Sequence, residues 1–287
     1  MCTAVPATSG SNKRRIGCVV MAAGQAVRFG SDKLMADWLG QPLYAHTLSV
    51  LPKEILAHIV VVSRSEEILQ AAAECGYEPV LNEHPEAGPG RTVRLGLGHM
   101  PAVDAVLFCV CDQPELQRHS LEKLVCTYAG GIRAAGFDGR RGNPVIFPAA
   151  LLPELRMLKD HQGGSTVIRR HGQLLTICET GCCRELLDVD TPADLAALRD
   201  LDYLLLDGPG SETMLAEAGS LLSGAGIPAA AAGSMDPQEV ERLTRSPRTL
   251  LLWSGDCSAA EVAGRLAPQI QTFLPARGLQ AVQTMDK

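Results

Sequence analysis

Short apolar runs separated by stretches of helical length constrain this chain more than any other feature. They stand at 16–21, 59–62, 78–81, 105–110, 132–137, 144–147 and 174–178. The run IGCVVM at 16–21 carries no alternating polar residue, as expected of a strand buried on both faces. Strands that alternate with helices in this way predict an α/β protein, a Rossmann-like, mostly parallel sheet with helices on both faces. Ser63-Arg64-Ser65-Glu66 reads as a capping-box start whose helix stops before Gly76. Thr191 is placed to cap a helix with Pro192 in its first turn, carrying Asp194 to about Arg199. Such sheets bind ligands beyond the carboxyl ends of their strands.

Two segments fall at those ends. The first run is followed by Ala22-Ala23-Gly24-Gln25-Ala26-Val27-Arg28-Phe29-Gly30 and shortly by Lys33. A loop of small residues lets backbone N–H groups approach a phosphate chain, and Arg28 and Lys33 add the cations that a triphosphate needs. It is neither a G-x-x-x-x-G-K-[ST] loop nor a G-x-G-x-x-G loop. The fourth run, VLFCVC, leads into Asp112-Gln113-Pro114. Both segments are therefore expected to open into one cleft. Arg91 and Arg94 could supply further local positive charge.

Composition removes other classes. With a net charge of -6, the chain has no broad basic face for a nucleic-acid backbone, and at 4% aromatic residues it offers no stacking platform for single strands. No apolar stretch reaches membrane-spanning length, and residues 1–14 lack the apolar core of a signal peptide. A disordered tail and a cytoplasmic protein are expected. The ten cysteines include Cys18, Cys109 and Cys111 in strand-like runs and Cys75 and Cys126 in helical ones, where free thiols act as small core hydrophobes. Cys178, Cys182 and Cys183 lack zinc-site spacing and read as reduced thiols. His46, His58, His84, His99, His119 and His171 show no ligand spacing and are read as structural. After Asp200 the alternation continues with strands at 203–206, 228–232 and 250–253 and helices at 211–222, 237–244 and from Ser258. That small unit is either a separate layer or an extension of the first sheet. Asp207-Gly208-Pro209-Gly210-Ser211 sits at a strand-to-helix junction without the lysine of a P-loop and reads as a capped turn.

The segment MAAGQAVRFGSDK at 21–33 resembles the L-A-A-G-x-S-x-R-x-G-x-x-K opening of the MobA-like nucleotidyltransferases, and the likeness is closest to the molybdenum cofactor cytidylyltransferases within them. It continues through LMADWLGQPLYAHTL at 34–48, residues 82–97, CDQP at 111–114, RGNPVIF at 141–147 and LDVDTPADL at 187–195. The blocks fall in the family's order across residues 15–200, which the resemblance marks as one nucleotidyltransferase domain, with 201–287 as a small α/β module of unknown role.

The resemblance implies Mg²⁺-dependent transfer of CMP from CTP to molybdenum-bound molybdopterin, with pyrophosphate released. It assigns Arg28, Lys33 and Asp112 to catalysis and Asp112 with Asp190 to the metal; Asp188 competes for that second carboxylate. Ala22, Ala23, Gly24, Arg28, Lys33, Gly88, Gly90 and Thr92 are the implied nucleotide contacts. Asn143, Pro144, Asp160 and Gly163 fall on the pterin side. Relatives that use GTP generally carry L-A-G-G where this chain has Met21-Ala22-Ala23-Gly24, and the added methyl narrows the pocket toward a pyrimidine. A guanylyl transferase, or one with a sugar-phosphate or methylerythritol-phosphate acceptor, would keep the same loop. A cofactor chaperone serving a molybdenum hydroxylase is the alternative of another class.

Overall fold

The computed structural model describes residues 14–25, 28–199, 201, 203–216 and 228–253. Its main body is a seven-stranded sheet in the order β5-β4-β1-β6-β8-β7-β9. The strands are β1 (Ile16–Ala22), β4 (His58–Ser63), β5 (Glu78–Leu81), β6 (Ala105–Val110), β7 (Ile132–Phe137), β8 (Arg140–Pro148) and β9 (Leu175–Glu179). A short ribbon, β2 (Asp37–Trp38) with β3 (Gln41–Pro42), stands apart from it. β8 runs antiparallel to both β6 and β7, and every other pairing in the large sheet is parallel.

Alternate side chains of the strands feed two cores. On one face Cys18, Val20, Val61 and Leu107 pack with Leu48 of α1 (Leu43–Val50), Ile68 of α2 (Glu66–Glu74) and Leu121 of α4 (Arg118–Cys126). On the other, Val19, Val60, Val106 and Phe147 pack with Val93 and Leu97 of α3 (Pro89–His99), Leu155 of α5 (Leu152–Arg156) and Val167 of α6 (Ser165–Arg170). Burial on both faces is what makes the parallel strands read as unbroken apolar runs.

The chain winds from β1 outward through β4 to β5, then returns to place β6 on the opposite side of β1. That reversal opens a crevice between the carboxyl ends of β1 and β6, where Met21 and Val110 lie in register. The loop after β1 and Asp112 after β6 are therefore neighbours by topology.

Several local expectations need correction. Ser65, the residue before α2, makes no side-chain cap; Ser63 instead donates to the Ala22 carbonyl at 3.0 Å and accepts from Ser65 N–H at 3.1 Å. Cys75 and Cys126 are exposed at helix ends rather than in the core. Arg14 is placed, donating to the Ala129 carbonyl at 3.0 Å, while the rest of the expected tail lies outside the described residues. The cap on α7 (Pro192–Ala197) forms as expected, Thr191 and Asp194 exchanging side-chain and backbone bonds.

Beyond residue 200 a second sheet, separate from the first, orders β11 (Ala229–Ala231), β10 (Tyr203–Asp207) and β12 (Thr249–Trp253), all parallel, with α8 (Pro237–Thr244) leading into β12. The expected helix at 211–222 is described only through residue 216, and the one from Ser258 lies outside the described residues. The Gln117 side chain ties the edge of this sheet to the main body: its amide donates to the Leu251 carbonyl and its oxygen accepts from Trp253 N–H at 3.0 Å. Arg184, fully buried, donates to the carbonyls of Pro247, at 2.9 Å, and of Leu198. These bonds fasten the small sheet to the segments that follow β6 and β9.

Candidate active site

Lys33 organises the crevice. A one-turn 3-10 helix, Lys33–Met35, is capped by Asp32, whose carboxylate accepts from Leu34 N–H and pairs with Arg64 at 2.7 Å. This turn carries the Lys33 ammonium inward, where it donates to Asp112 Oδ2 at 2.8 Å and to Asp190 Oδ1 at 3.1 Å. Burial alone would push the ammonium down, but Asp112 and then Asp190 outweigh it and hold Lys33 above the ordinary lysine value, so it stays charged.

The two carboxylates meet because the Val189 N–H donates to the Asp112 carbonyl at 2.8 Å, drawing the segment before α7 against the end of β6. Asp194 and Thr191 take over the capping of α7, and the Asp190 N–H itself donates to Asp194 Oδ2 at 3.0 Å. The Asp190 side chain is thereby left to face the crevice, where its Oδ2 accepts from Arg28 at 2.7 Å. Arg28, Lys33 and Asp112, far apart in sequence, form one constellation.

A cavity of about 450 Å³ opens over it, walled by Ala23, Gly24, Gln25, Gly88, Pro89 and Thr92 beside the charged residues. A Cβ placed on Gly24 would meet nothing within 4 Å, so the cavity rather than the protein uses that space. Ala23 is buried in the wall. Thr92, also buried, has its hydroxyl within 3.3 Å of the Asn82 amide, which donates to it.

Other expected contacts lie elsewhere. Ala22 is inside β1, its carbonyl taken by Ser63. The Gly90 N–H donates to the Asp160 carbonyl at 2.9 Å, and a Cβ there would sit 2.1 Å from the Lys159 carbonyl oxygen. Gly90 thus serves the close packing of the 159–162 turn and is absent from the cavity wall. Arg94 is committed to the Asp160 carboxylate and the Leu158 carbonyl, and Arg91 donates to Asn82 Oδ1 at 2.9 Å, so neither joins the constellation.

On the far side of Asp112 lies a second cavity, about 490 Å³, lined by Gln113, Arg140, Arg141, Asn143, Asp188 and Arg245 among others. Asp188 accepts from the Gln113 amide at 2.9 Å, and burial, with the Asp112 charge added, pushes its carboxyl above the ordinary range. Asp188 and Asp190 therefore face different cavities. An apolar slot of about 260 Å³, including Phe108, Phe147 and Ile168, shares Met21 and Val110 with the first cavity and Arg141 and Asn143 with the second. Pro144 is buried in β8, and Asp160 and Gly163 line none of these spaces. Arg140, Arg141 and Arg245 were not singled out from sequence; RGNPVIF marked their neighbourhood, but nothing marked Arg245.

The cysteine trio builds no centre: among the described residues no group of three or more His, Cys, Asp or Glu is arranged to hold a metal. Burial pushes the Cys182 thiol up to about 12. Among the described residues, no helix is long and apolar enough to cross a membrane.

Over residues 18–174, more than half its length, the sequence matches the MobA-like NTP transferase domain. The chain belongs to the MobA-like NTP transferase family. It is 26% identical over 194 residues to the purine catabolism protein PucB of Bacillus subtilis, covering 63% of this chain and 94% of PucB. It is 28% identical over 145 residues to a molybdenum cofactor guanylyltransferase of Shewanella putrefaciens, covering 49% of this chain and 71% of that protein. The fold matches that of Rv0371c from Mycobacterium tuberculosis H37Rv at a TM-score of 0.55 and 21% identity, covering 65% of this chain and 98% of that one. The α/β architecture is thus that of its solved neighbours, and the MobA-like chain is a nucleotidyltransferase by family.

Proposed function

We propose that this protein transfers CMP from CTP to the phosphate of molybdenum-bound molybdopterin, forming the cytosine dinucleotide and pyrophosphate. The observation that carries the reading is the buried Lys33 ammonium shared between Asp112 and Asp190, with Arg28 on the same carboxylate, at the mouth of a cavity walled by Ala23 and Gly24.

In the reaction an oxygen of the acceptor phosphate bonds to the α-phosphorus and the bond from α-phosphorus to the bridging oxygen of the β-phosphate breaks. A phosphate monoester is largely deprotonated at neutral pH, so the attack asks for no general base. The protein's task is alignment and charge neutralisation. Lys33 and Arg28 neutralise the departing pyrophosphate, and the backbone around Gly24 and Gly88 lies against the triphosphate.

The donor set fits a magnesium ion. Asp112 Oδ1 is buried without a hydrogen-bond partner among the described residues, an expensive state unless a ligand meets it. Asp112 and Asp190 would hold Mg²⁺, which takes oxygen ligands from one or two carboxylates and neutralises phosphate oxygens. The Asp190 side chain lines the nucleotide cavity and that of Asp188 does not, which favours Asp190 as the second ligand.

The Ala23 methyl in the cavity wall favours the smaller pyrimidine base, and the relative named as a molybdenum cofactor guanylyltransferase supports a molybdopterin acceptor. On the resemblance to the molybdenum cofactor cytidylyltransferases, the product is destined for a molybdenum hydroxylase. Pyrophosphate release by the full chain over CTP, GTP, ATP and UTP, with and without molybdenum-loaded molybdopterin, tests the reading. Release is expected with CTP and acceptor together. Equal rates with GTP would overturn the base assignment, and release with a sugar phosphate instead would overturn the acceptor.

A further inference from the structure

The second cavity is not built by the family domain alone. Its lining includes Gln113, Asp188 and residues of the β7–β8 hairpin, and Arg245 reaches it from the turn between α8 and β12 in the small-sheet region, like Asp188 beyond the 18–174 match. That turn is held from the main body at two points: the Cys183 thiol donates to the Arg245 carbonyl at 3.3 Å, and Arg184 donates to the Pro247 carbonyl. Arg245 is aimed as well as anchored. Its Nη2 donates to Asp138 at 3.1 Å and to Glu241 at 2.9 Å, and among the described residues Nη1 and Nε have no partner. Arg140 and Arg141, on the same cavity, make no side-chain ion pair among the described residues. Three arginines line one space, two of them without an ion pair among the described residues, and a guanidinium suits an oxyanion because it offers a planar fork of N–H donors.

We infer that the small sheet completes the acceptor site: Arg245 joins Arg140 and Arg141 to hold a phosphate-type anionic group of the acceptor beside Asp188. The inference rests on the nucleotidyl-transfer reading of the neighbouring cavity. It adds that the 203–253 region is part of the substrate site and sets which acceptors are taken.

Kinetics on the full chain tests it, with Arg245→Ala, Arg245→Lys and Arg140→Ala, the last of which removes no side-chain bond among the described residues. Each alanine variant is expected to raise the acceptor KM about tenfold while the CTP KM stays within twofold, with Arg245→Lys in between. An active enzyme whose acceptor KM is unmoved in both alanine variants would overturn the inference and leave the transfer reading intact. If the wild type turns over no acceptor, the transfer reading fails, and a second measurement decides the site by itself. Iodoacetamide labelling of Cys183, which lines the cavity, is read by mass spectrometry with inorganic phosphate as the probe. Exposed Cys75 and Cys126 serve as internal references. Phosphate is expected to slow Cys183 labelling in the wild type and much less in Arg140→Ala or Arg245→Ala; no slowing, or equal slowing in all three, overturns the proposal.

Discussion

The two cavities on either side of the Asp112-Gln113 peptide differ in the sign of their charge. The nucleotide side sets Arg28 and Lys33 against three carboxylates, Glu86, Asp112 and Asp190. The other side sets Arg140, Arg141 and Arg245 against two, Asp138 and Asp188. A site with an acidic excess admits a triphosphate only when another cation comes with it, whereas a site with a basic excess takes an anion directly. The same sheet end thus presents one space built for an anion with its metal and one built for an anion alone.

Chelation breaks that comparison most severely if it is wrong. EDTA is expected to abolish CTP binding, measured by titration calorimetry, while phosphate still protects Cys183; nucleotide binding that survives chelation would mean that Arg28 and Lys33 suffice. Asp112→Asn comes next. It keeps the shape, leaves Lys33 bonded to Asp190, and removes the unpartnered buried oxygen's charge. A loss of about 10²–10³-fold in kcat is expected, with the circular-dichroism spectrum unchanged. Turnover within tenfold of wild type would detach Asp112 from the chemistry.

That Asp112 could be named from sequence at all reflects how the main sheet is made. β1 and β6 are buried on both faces, so their apolar runs are unbroken and their ends, where ligands gather, are visible as the first polar residues. Lys33 was legible as a cation of the loop after β1, but Asp190 and its meeting with Lys33 were legible only through the resemblance, since no local pattern says that residues so far apart share a hydrogen bond. Where partners are distant and no pattern exists, reading failed. Arg91 and Arg94 looked available, yet Asn82 and Asp160 hold them. Gly90 looked like a phosphate contact and is a packing glycine beneath Lys159. β8 was expected from Pro144 but begins at Arg140, because Arg140 to Asn143 extend past the core into the second cavity and are polar there. Arg245 reaches the cavity from the other sheet, so nothing in its own neighbourhood announces it.

The apolar wall of the nucleotide cavity gives a finer test. Ala23→Gly removes one methyl, and one methyl-sized difference in a pocket is worth about tenfold in discrimination. The ratio of kcat/KM for CTP over GTP is expected to fall by about that factor, chiefly through GTP improving. An unchanged ratio would show that base choice is made elsewhere and that Ala23 is filler.

The smallest effect expected lies outside both cavities and serves as a control on their chemistry. Glu154 of α5 accepts from Arg170 at 2.5 Å and from His171 at 2.7 Å at the end of α6, closing the helical layer behind Phe147. The Arg170 bond, then that of His171, holds its carboxyl below the ordinary glutamate value of 4.5. A carboxylate stabilised in its charged form adds stability above the unfolded pKa, and that contribution disappears as pH falls from about 4.5 through the lower folded value. Glu154→Gln should therefore lower Tm by no more than about 3 °C at pH 7, since the pair is partly exposed and screened. At pH values below the folded pKa the two proteins should melt together. Because Glu154 touches neither cavity, kcat and both KM values should be those of wild type; a change in either would mean that the layer under α5 and α6 shapes the slot joining the two sites.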